Sequence, residues 1–178
     1  MNKVRIVFMG TPVISSVVLE ALIKANYDIV GVVAQEDKPV GRKKILEKVP
    51  TKVIAEKYNI PVFQPKKIRL DYEFMKELNP DLIITLAYGQ IVPQGLLDIP
   101  RLGALNLHGS LLPKYRGAAP MQYALINNDK VTGMTLMQMI DKMDAGLMYA
   151  KKEVVIEPKD TLSSLTIKMT KCAEELIL

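Results

Sequence analysis

The chain has 178 residues, of which 49% are hydrophobic and 24% charged, with a net charge of +5. That length suits one domain able to bury a sizeable core, and no apolar run approaches the ~20 residues of a membrane-spanning helix. A single cysteine, Cys172, and a single histidine, His108, exclude an internal disulfide and a cysteine metal cluster and argue against zinc. The opening "MNKVRIVFMG" is short for a signal peptide and has no small-residue cleavage site, so a cytoplasmic protein is expected.

The first forty residues read as strand, turn, helix, strand. "KVRIVFMG" is an apolar, β-branched run of the kind buried in parallel sheets. Gly10-Thr11-Pro12 ends it, and Pro12 suits a first helical turn. Val13, Val17, Val18 and Leu22 are then expected on one helical face, and "YDIVGVVA" is a second strand. This is a mononucleotide-type βαβ pattern, with parallel strands and a right-handed crossover. Only Gly10 stands where the dinucleotide fingerprint needs three glycines, which disfavours a nicotinamide or flavin enzyme.

"AQEDKPVGRKKILEKVP" shows no periodicity and reads as a long exposed loop. A helix near 51–58, a short strand at "PVFQP", a helix over 71–79 and a strand "DLIITLAYG" follow. "LGALNLH" is a further buried strand, and a helix over 119–127 leads to the strand "VTGMTLMQM". After a strand over 148–156, the last helix starts at an Asp160 or Thr161 cap. Its apolar stripe is Leu162, Leu165, Met169, Cys172 and Leu176, which makes Cys172 a small core residue rather than a nucleophile. The order predicts an α/β fold: a Rossmann-like, open, twisted, mostly parallel sheet with helices on both faces.

The charge is uneven. Residues 36–69 hold ten Lys and Arg against four acids, a balance of +6, and the remainder of the chain is −1. A solvated lysine-rich surface and a phosphate-rich partner both account for such a segment.

The densest site signal is "NLHGSLLPKYRGAAPMQ". Alternation along a strand puts Asn106 and His108 on one face at its end. Gly109 lets the backbone turn there, and Pro113 fixes the exit. An amide donor and a titratable imidazole thus meet at the edge where α/β sheets hold ligands. Downstream, Asp141 and Asp144 in "DKMDAG" compete as an acidic partner, and each is also an ordinary turn former.

Asn106-x-His108, followed by "SLLP" and a later Asp, resembles the folate-dependent formyltransferase family. "VFMGTP", "KPVGRKK", "PVFQP", "AYGQIVP", "NLHGSLLPKYRGAAP" and "VTGMTLMQM" are similar, in order, to its tRNA-directed members. The resemblance implies transfer of the formyl group of 10-formyltetrahydrofolate to the α-amine of methionine on initiator methionyl-tRNA, for translation initiation. It implies Asn106, His108 and Asp144 as catalytic residues, with the folate against Ser110, Leu111, Leu112, Pro113, Tyr88, Gly89, Gln90 and Ile91. It turns Arg42, Lys43, Lys44, Gly10, Thr11 and Pro12 toward the tRNA. No metal, no membrane and no second copy of the chain are expected.

The implied chemistry suits these residues. Charge develops on the formyl oxygen as an amine attacks. Asn106 and a protonated His108 would donate to that oxygen, at about 3–4 kcal/mol per donor in comparable sites. Asp144 would pair with the imidazolium or hold a proton-relaying water. Two departures stand out. Leu147 replaces an acidic residue that typically follows "MDAG", and residues 1–178 do not include the family's usual C-terminal β-barrel with its tRNA contacts. A small-molecule amine acceptor and a non-catalytic RNA- or folate-binding remnant are the alternatives. The basic loop and "RGAAP" speak against the first, and Leu147 suggests the second.

Overall fold

The computed structural model describes residues 3–41 and 44–178. In chain order its elements are β1 (Arg5–Gly10), α1 (Val13–Lys24), β2 (Asp28–Val33), β3 (Lys38–Val40) and β4 (Ile45–Glu47), then α2 (Pro50–Lys57), β5 (Val62–Phe63) and α3 (Phe74–Leu78). These are followed by β6 (Leu82–Leu86), α4 (Gln94–Leu97), β7 (Ala104–His108), α5 (Pro120–Ile126), β8 (Val131–Gln138), β9 (Met148–Val155) and α6 (Leu162–Ile177). Seven strands form one sheet in the order β5-β2-β1-β6-β7-β8-β9. The pairs from β5 to β7 are parallel, and β8 and β9 are added antiparallel. The expected α/β, mostly parallel, Rossmann-like sheet is therefore present. Among the described residues no helix is long and apolar enough to cross a membrane.

Strand alternation sorts β1 between two cores, because successive side chains leave opposite faces of a sheet. Ile6 and Phe8 join α1, Ala55 of α2, α5 and α6 on one side. Val7 and Met9 join Met75 of α3 and Leu96 and Leu97 of α4 on the other. Helices thus cover both faces, which is why β1 is buried from Ile6 to Gly10.

Helix α1 turns a different face inward than apolar spacing predicts. Ile14, Val18, Leu19 and Leu22 are buried, whereas Val13 is 64% exposed and Val17 37%. The cause is Ser15, fully buried with its hydroxyl donating to the Leu86 carbonyl at the end of β6 (2.5 Å). A hydrogen-bonded serine inside the stripe rotates the buried arc away from the one that counting apolar residues gives. The segment 34–50, expected as a loop, contains the hairpin β3–β4, with Lys38 opposite Glu47 and Val40 opposite Ile45. Strands of three residues facing no core carry no alternation to read. Helix α4 was likewise not foreseen, and α3 is shorter than the 71–79 expected.

Helix α6 opens on a capping box, Thr161 accepting from the Ser164 N–H and Ser164 from the Thr161 N–H. Leu165, Met169 and Cys172 are buried as expected, while Leu162 is largely exposed. Strands β8 and β9 meet closely at Gly133, where a Cβ would lie 2.1 Å from the Lys152 carbonyl oxygen and 2.7 Å from Leu111 Cδ2. Gly133→Ala is therefore expected to lower stability by about 1–3 kcal/mol, as overpacking against backbone does. Chemical unfolding measures this, and an unchanged midpoint would contradict the close β8–β9 approach.

Candidate active site

The strand order reverses between β1 and β6, since the chain runs outward to β2 and β5 on one side and to β6 and β7 on the other. In open α/β sheets the loops at such a point splay apart and leave a crevice beyond the carboxyl ends of the strands. Here the crevice is a cavity of about 630 Å3, lined by the ends of β6 and β7, the loop 87–92, the turn 117–119 with the start of α5, and residues of 134–144. That volume falls within the range of small-molecule sites, and Met134, Met137 and Met139 make part of the wall apolar.

The polar groups converge at one end. Asn106 and His108 both line the cavity from β7, as alternation predicts. Thr85 on β6 donates to Asn106 Oδ1 at 2.9 Å, which leaves the Asn106 amide nitrogen without a protein acceptor among the described residues. His108 is 7% exposed. Its Nε2 lies 2.8 Å from the Tyr115 carbonyl oxygen, which can only accept, so Nε2 carries a proton. Its Nδ1 lies 3.5 Å from Asp144 Oδ2. The same Asp144 oxygen accepts from the Gly117 N–H at 2.7 Å, which pins the carboxylate. Asp141 lies on the cavity wall but is exposed, so the structure separates the two candidate aspartates: Asp144 faces the imidazole.

Backbone conformation singles out the same place. Among the described non-glycine residues with positive φ, Asn26, Asn59, Asn79 and Asn128 sit at helix C-termini, the usual place for such a conformation, and Lys44 sits in the hairpin turn. The others are Ala87 (φ 50), Tyr115 (φ 54), Ala119 (φ 60) and Asp144 (φ 48). All four line the cavity or touch His108. Each costs on the order of 1–2 kcal/mol, and such strain gathers where a site must be held in one shape.

The expected folate-facing residues divide. Tyr88, Gly89, Gln90 and Ile91 line the cavity. Gln90 reaches its place by donating to the Pro65 carbonyl (3.2 Å) and accepting from the Ile68 N–H (2.8 Å). The Tyr88 hydroxyl is buried with no partner among the described residues, and burial pushes its pKa up. Ser110, Leu111, Leu112 and Pro113 are not among the residues that line the cavity. Thr135 on β8 donates to the Ser110 carbonyl (2.7 Å) and accepts from the Leu112 N–H (3.1 Å). Those two bonds draw the segment under the turn, where Ser110 and Leu112 are buried. Thr85, Tyr115 and Gly117 were missed, because nothing in spacing marks a residue that acts through its backbone or a neighbour's amide.

The basic segment is partly consumed by ion pairs. Lys48, Lys52 and Lys57 pair with Glu56, Asp37 and Glu20. Burial raises the Asp37 pKa, but donation from Lys52, Gln64 and the Val49 N–H outweighs it and holds the carboxyl below its usual range. Arg42 and Lys43 lie outside the described residues. Lys44 is exposed beside them, and Lys38, Lys66, Lys67 and Arg69 are exposed without an ion-pair partner among the described residues. Of the first turn, only Pro12 is exposed. Gly10 is buried, and the half-buried Thr11 donates its hydroxyl to the Tyr88 carbonyl at 3.1 Å, which ties this turn to the loop after β6. Leu147 is 68% exposed and off the cavity wall, so a carboxylate there would not enter the His108–Asp144 pair. No group of His, Cys, Asp and Glu among the described residues is arranged to hold a metal ion.

A family model described as formyl transferase matches residues 3–178. The chain is similar to the methionyl-tRNA formyltransferase of Bacillus mycoides, with 50% identity over 175 residues, covering 97% of this chain and 56% of that protein. The enzyme of the same name from Bacillus cytotoxicus is 48% identical over 176 residues, again over 56% of its length. The chain thus spans about half the length of these relatives. Among solved structures, the phosphoribosylglycinamide formyltransferase of Bacillus halodurans superposes with a TM-score of 0.82 at 23% identity, covering 97% of this chain and 90% of that one, a likeness of fold. A match across nearly the whole chain and relatives about half identical in sequence lead to one assignment: this chain belongs to the formyl transferase family.

Proposed function

We propose that this chain is the catalytic part of a methionyl-tRNA formyltransferase, moving the formyl group of 10-formyltetrahydrofolate to the α-amine of initiator methionyl-tRNA in the cytoplasm. The observation that carries the proposal is the His108–Asp144 pair at 3.5 Å, beside Asn106, at the polar end of an apolar cavity in a chain of this family. The cavity fits a folate: it has the volume of a small-molecule site, apolar methionine walls, and the loop Tyr88–Ile91 along one side. The folate supplies the formyl carbon as electrophile, and the other roles belong to side chains of this chain.

The Asn106 amide nitrogen, left without a protein acceptor by the Thr85 bond, donates to the formyl oxygen as negative charge grows there. Because Nε2 of His108 is committed to Tyr115, the second donor is Nδ1, on the side of Asp144. The Asp144 carboxylate stabilises the charged imidazole and accepts the proton that must leave the attacking amine, directly or through water; that proton passes to the folate nitrogen as its bond to the formyl carbon breaks, so tetrahydrofolate leaves neutral. Neither step needs a covalent enzyme intermediate.

Formylation of charged initiator tRNA, followed as labelled formyl-methionine, tests the proposal. Turnover on that acceptor and none on glycinamide ribonucleotide is expected, and the reverse preference would overturn it. Asn106→Ala should lower kcat by about 10²–10³-fold, the cost of losing one oxyanion donor. His108→Ala should reduce turnover to background, with far-ultraviolet circular dichroism unchanged. Full activity in His108→Ala would refute the assigned chemistry.

The exposed hairpin residue Lys44, with its neighbours Arg42 and Lys43, is proposed to contact tRNA phosphates. Replacing Lys43 and Lys44 by Ala should weaken tRNA binding at every sequence tested. The slope of log affinity against log salt should become shallower by roughly one for each phosphate no longer neutralised. Binding titrations at several salt concentrations measure this, and an unchanged slope would contradict it.

A further inference from the structure

Tyr115 holds a conformation that a bulky aromatic residue disfavours, φ 54, and its carbonyl lies 2.8 Å from His108 Nε2. The direction of that carbonyl depends on the φ and ψ of a residue in an irregular turn, so something must hold the turn. The holding group is Asp129, between α5 and β8. Its Oδ2 accepts from the Tyr115 hydroxyl at 2.8 Å, and both its oxygens accept from Lys114 Nζ at 2.9 Å. Asn127 donates to the same hydroxyl at 2.8 Å, and the Tyr115 ring stacks on Tyr123 of α5 with centroids 6.2 Å apart. The Asp129 backbone N–H is itself bonded to the Ala124 carbonyl at 3.0 Å, so the carboxylate is anchored to the end of α5. Its side chain is 15% exposed, and the Lys114 ammonium, with help from Tyr115, holds its carboxyl below the usual range against the effect of burial.

We infer that Asp129 is a positioning residue: acting through Tyr115, it commits His108 Nε2 to the Tyr115 carbonyl and so presents Nδ1 to Asp144 and the cavity. Strand β7 holds the backbone of His108, but the imidazole can still rotate about its side-chain bonds. Two groups at opposite ends of the ring limit that freedom, the Asp144 carboxylate 3.5 Å from Nδ1 and the Tyr115 carbonyl bonded at Nε2. Asp144 is pinned by Gly117, and Tyr115 is pinned by Asp129. Without Asp129 the left-handed turn loses its tether, its carbonyl drifts, and either ring nitrogen can face the cavity. The consequence for turnover rests on the formyl-transfer proposal, whereas the orientation of the ring does not.

The lone histidine makes the test direct, because every imidazole resonance belongs to His108. In the protein isotope-labelled at histidine, the hydrogen-bonded Nε2 proton should appear in nuclear magnetic resonance spectra as a ring resonance protected from exchange. Asp129→Ala and Tyr115→Phe should each abolish that protection while the backbone resonances of β1 and β6 stay in place. Tyr115→Phe removes a single hydroxyl, so it decides the matter alone if Asp129→Ala does not fold. Protection that survives the loss of the hydroxyl would overturn the proposal. This readout needs neither formyl donor nor acceptor, so it separates failure of the positioning role from failure of the assigned activity. In the formylation assay both variants should lose on the order of 10- to 100-fold in kcat, as misplaced catalytic groups do, with KM for the charged tRNA nearly unchanged. A loss confined to KM would also overturn the positioning role.

Discussion

The site depends on β1, a strand buried on both faces and paired in parallel with β2 and with β6. Because both neighbours run the same way, the loops after β1, β2 and β6 leave the sheet at one edge. Because the chain passes outward in opposite directions from there, those loops part. Side chains then tie the parted loops across the gap. Thr51 donates to the Gly10 carbonyl, Ser15 to the Leu86 carbonyl, and Thr11 and Gln35 both to the Tyr88 carbonyl. The crevice follows from topology, and buried hydroxyls and amides keep it from collapsing or spreading.

On that edge the protein concentrates its unfavourable backbone conformations. Ala87, Tyr115, Ala119 and Asp144 are each left-handed; Tyr115 is held through its hydroxyl by Asp129, and Asp144 by the Gly117 N–H. Strain maintained in this way is stored before a substrate arrives, so donors are already oriented when charge develops. The polar groups at the cavity are few and each has a defined support: Thr85 for Asn106, Gly117 for Asp144, Tyr115 for His108. An apolar wall beside them lowers the local dielectric and strengthens each of these interactions.

Some of this was legible in the residues and some was not. The pair Asn106 and His108 could be placed on one face because strand alternation is a property of the backbone alone. The buried stripe of α6 was readable for a similar reason, since its inward residues are apolar and evenly spaced. The inward face of α1 was not, because Ser15 is buried by a hydrogen bond to a strand more than 70 residues away. The hairpin β3–β4 lacks a core-facing side, so it leaves no periodic trace. Ser110 to Pro113 were assigned to the folate by family resemblance alone, and no spacing marks how they are held. A buried threonine on β8 bonds the Ser110 carbonyl and the Leu112 N–H.

From the sequence alone came the α/β class, the parallel pairing at its start, most of the inward face of α6, and the pairing of an amide with the one imidazole. These are local properties, set by the two periodicities of the backbone and by which residue types occur. Tertiary structure alone decided that Asp144 rather than Asp141 meets His108, and which ring nitrogen faces it. It also tied the Thr11 hydroxyl to the Tyr88 carbonyl. The physical reason is distance along the chain: an ion-pair contact between β7 and a loop 36 residues later, or a hydrogen bond between that imidazole and a strained carbonyl, exists only once the sheet has brought the segments together.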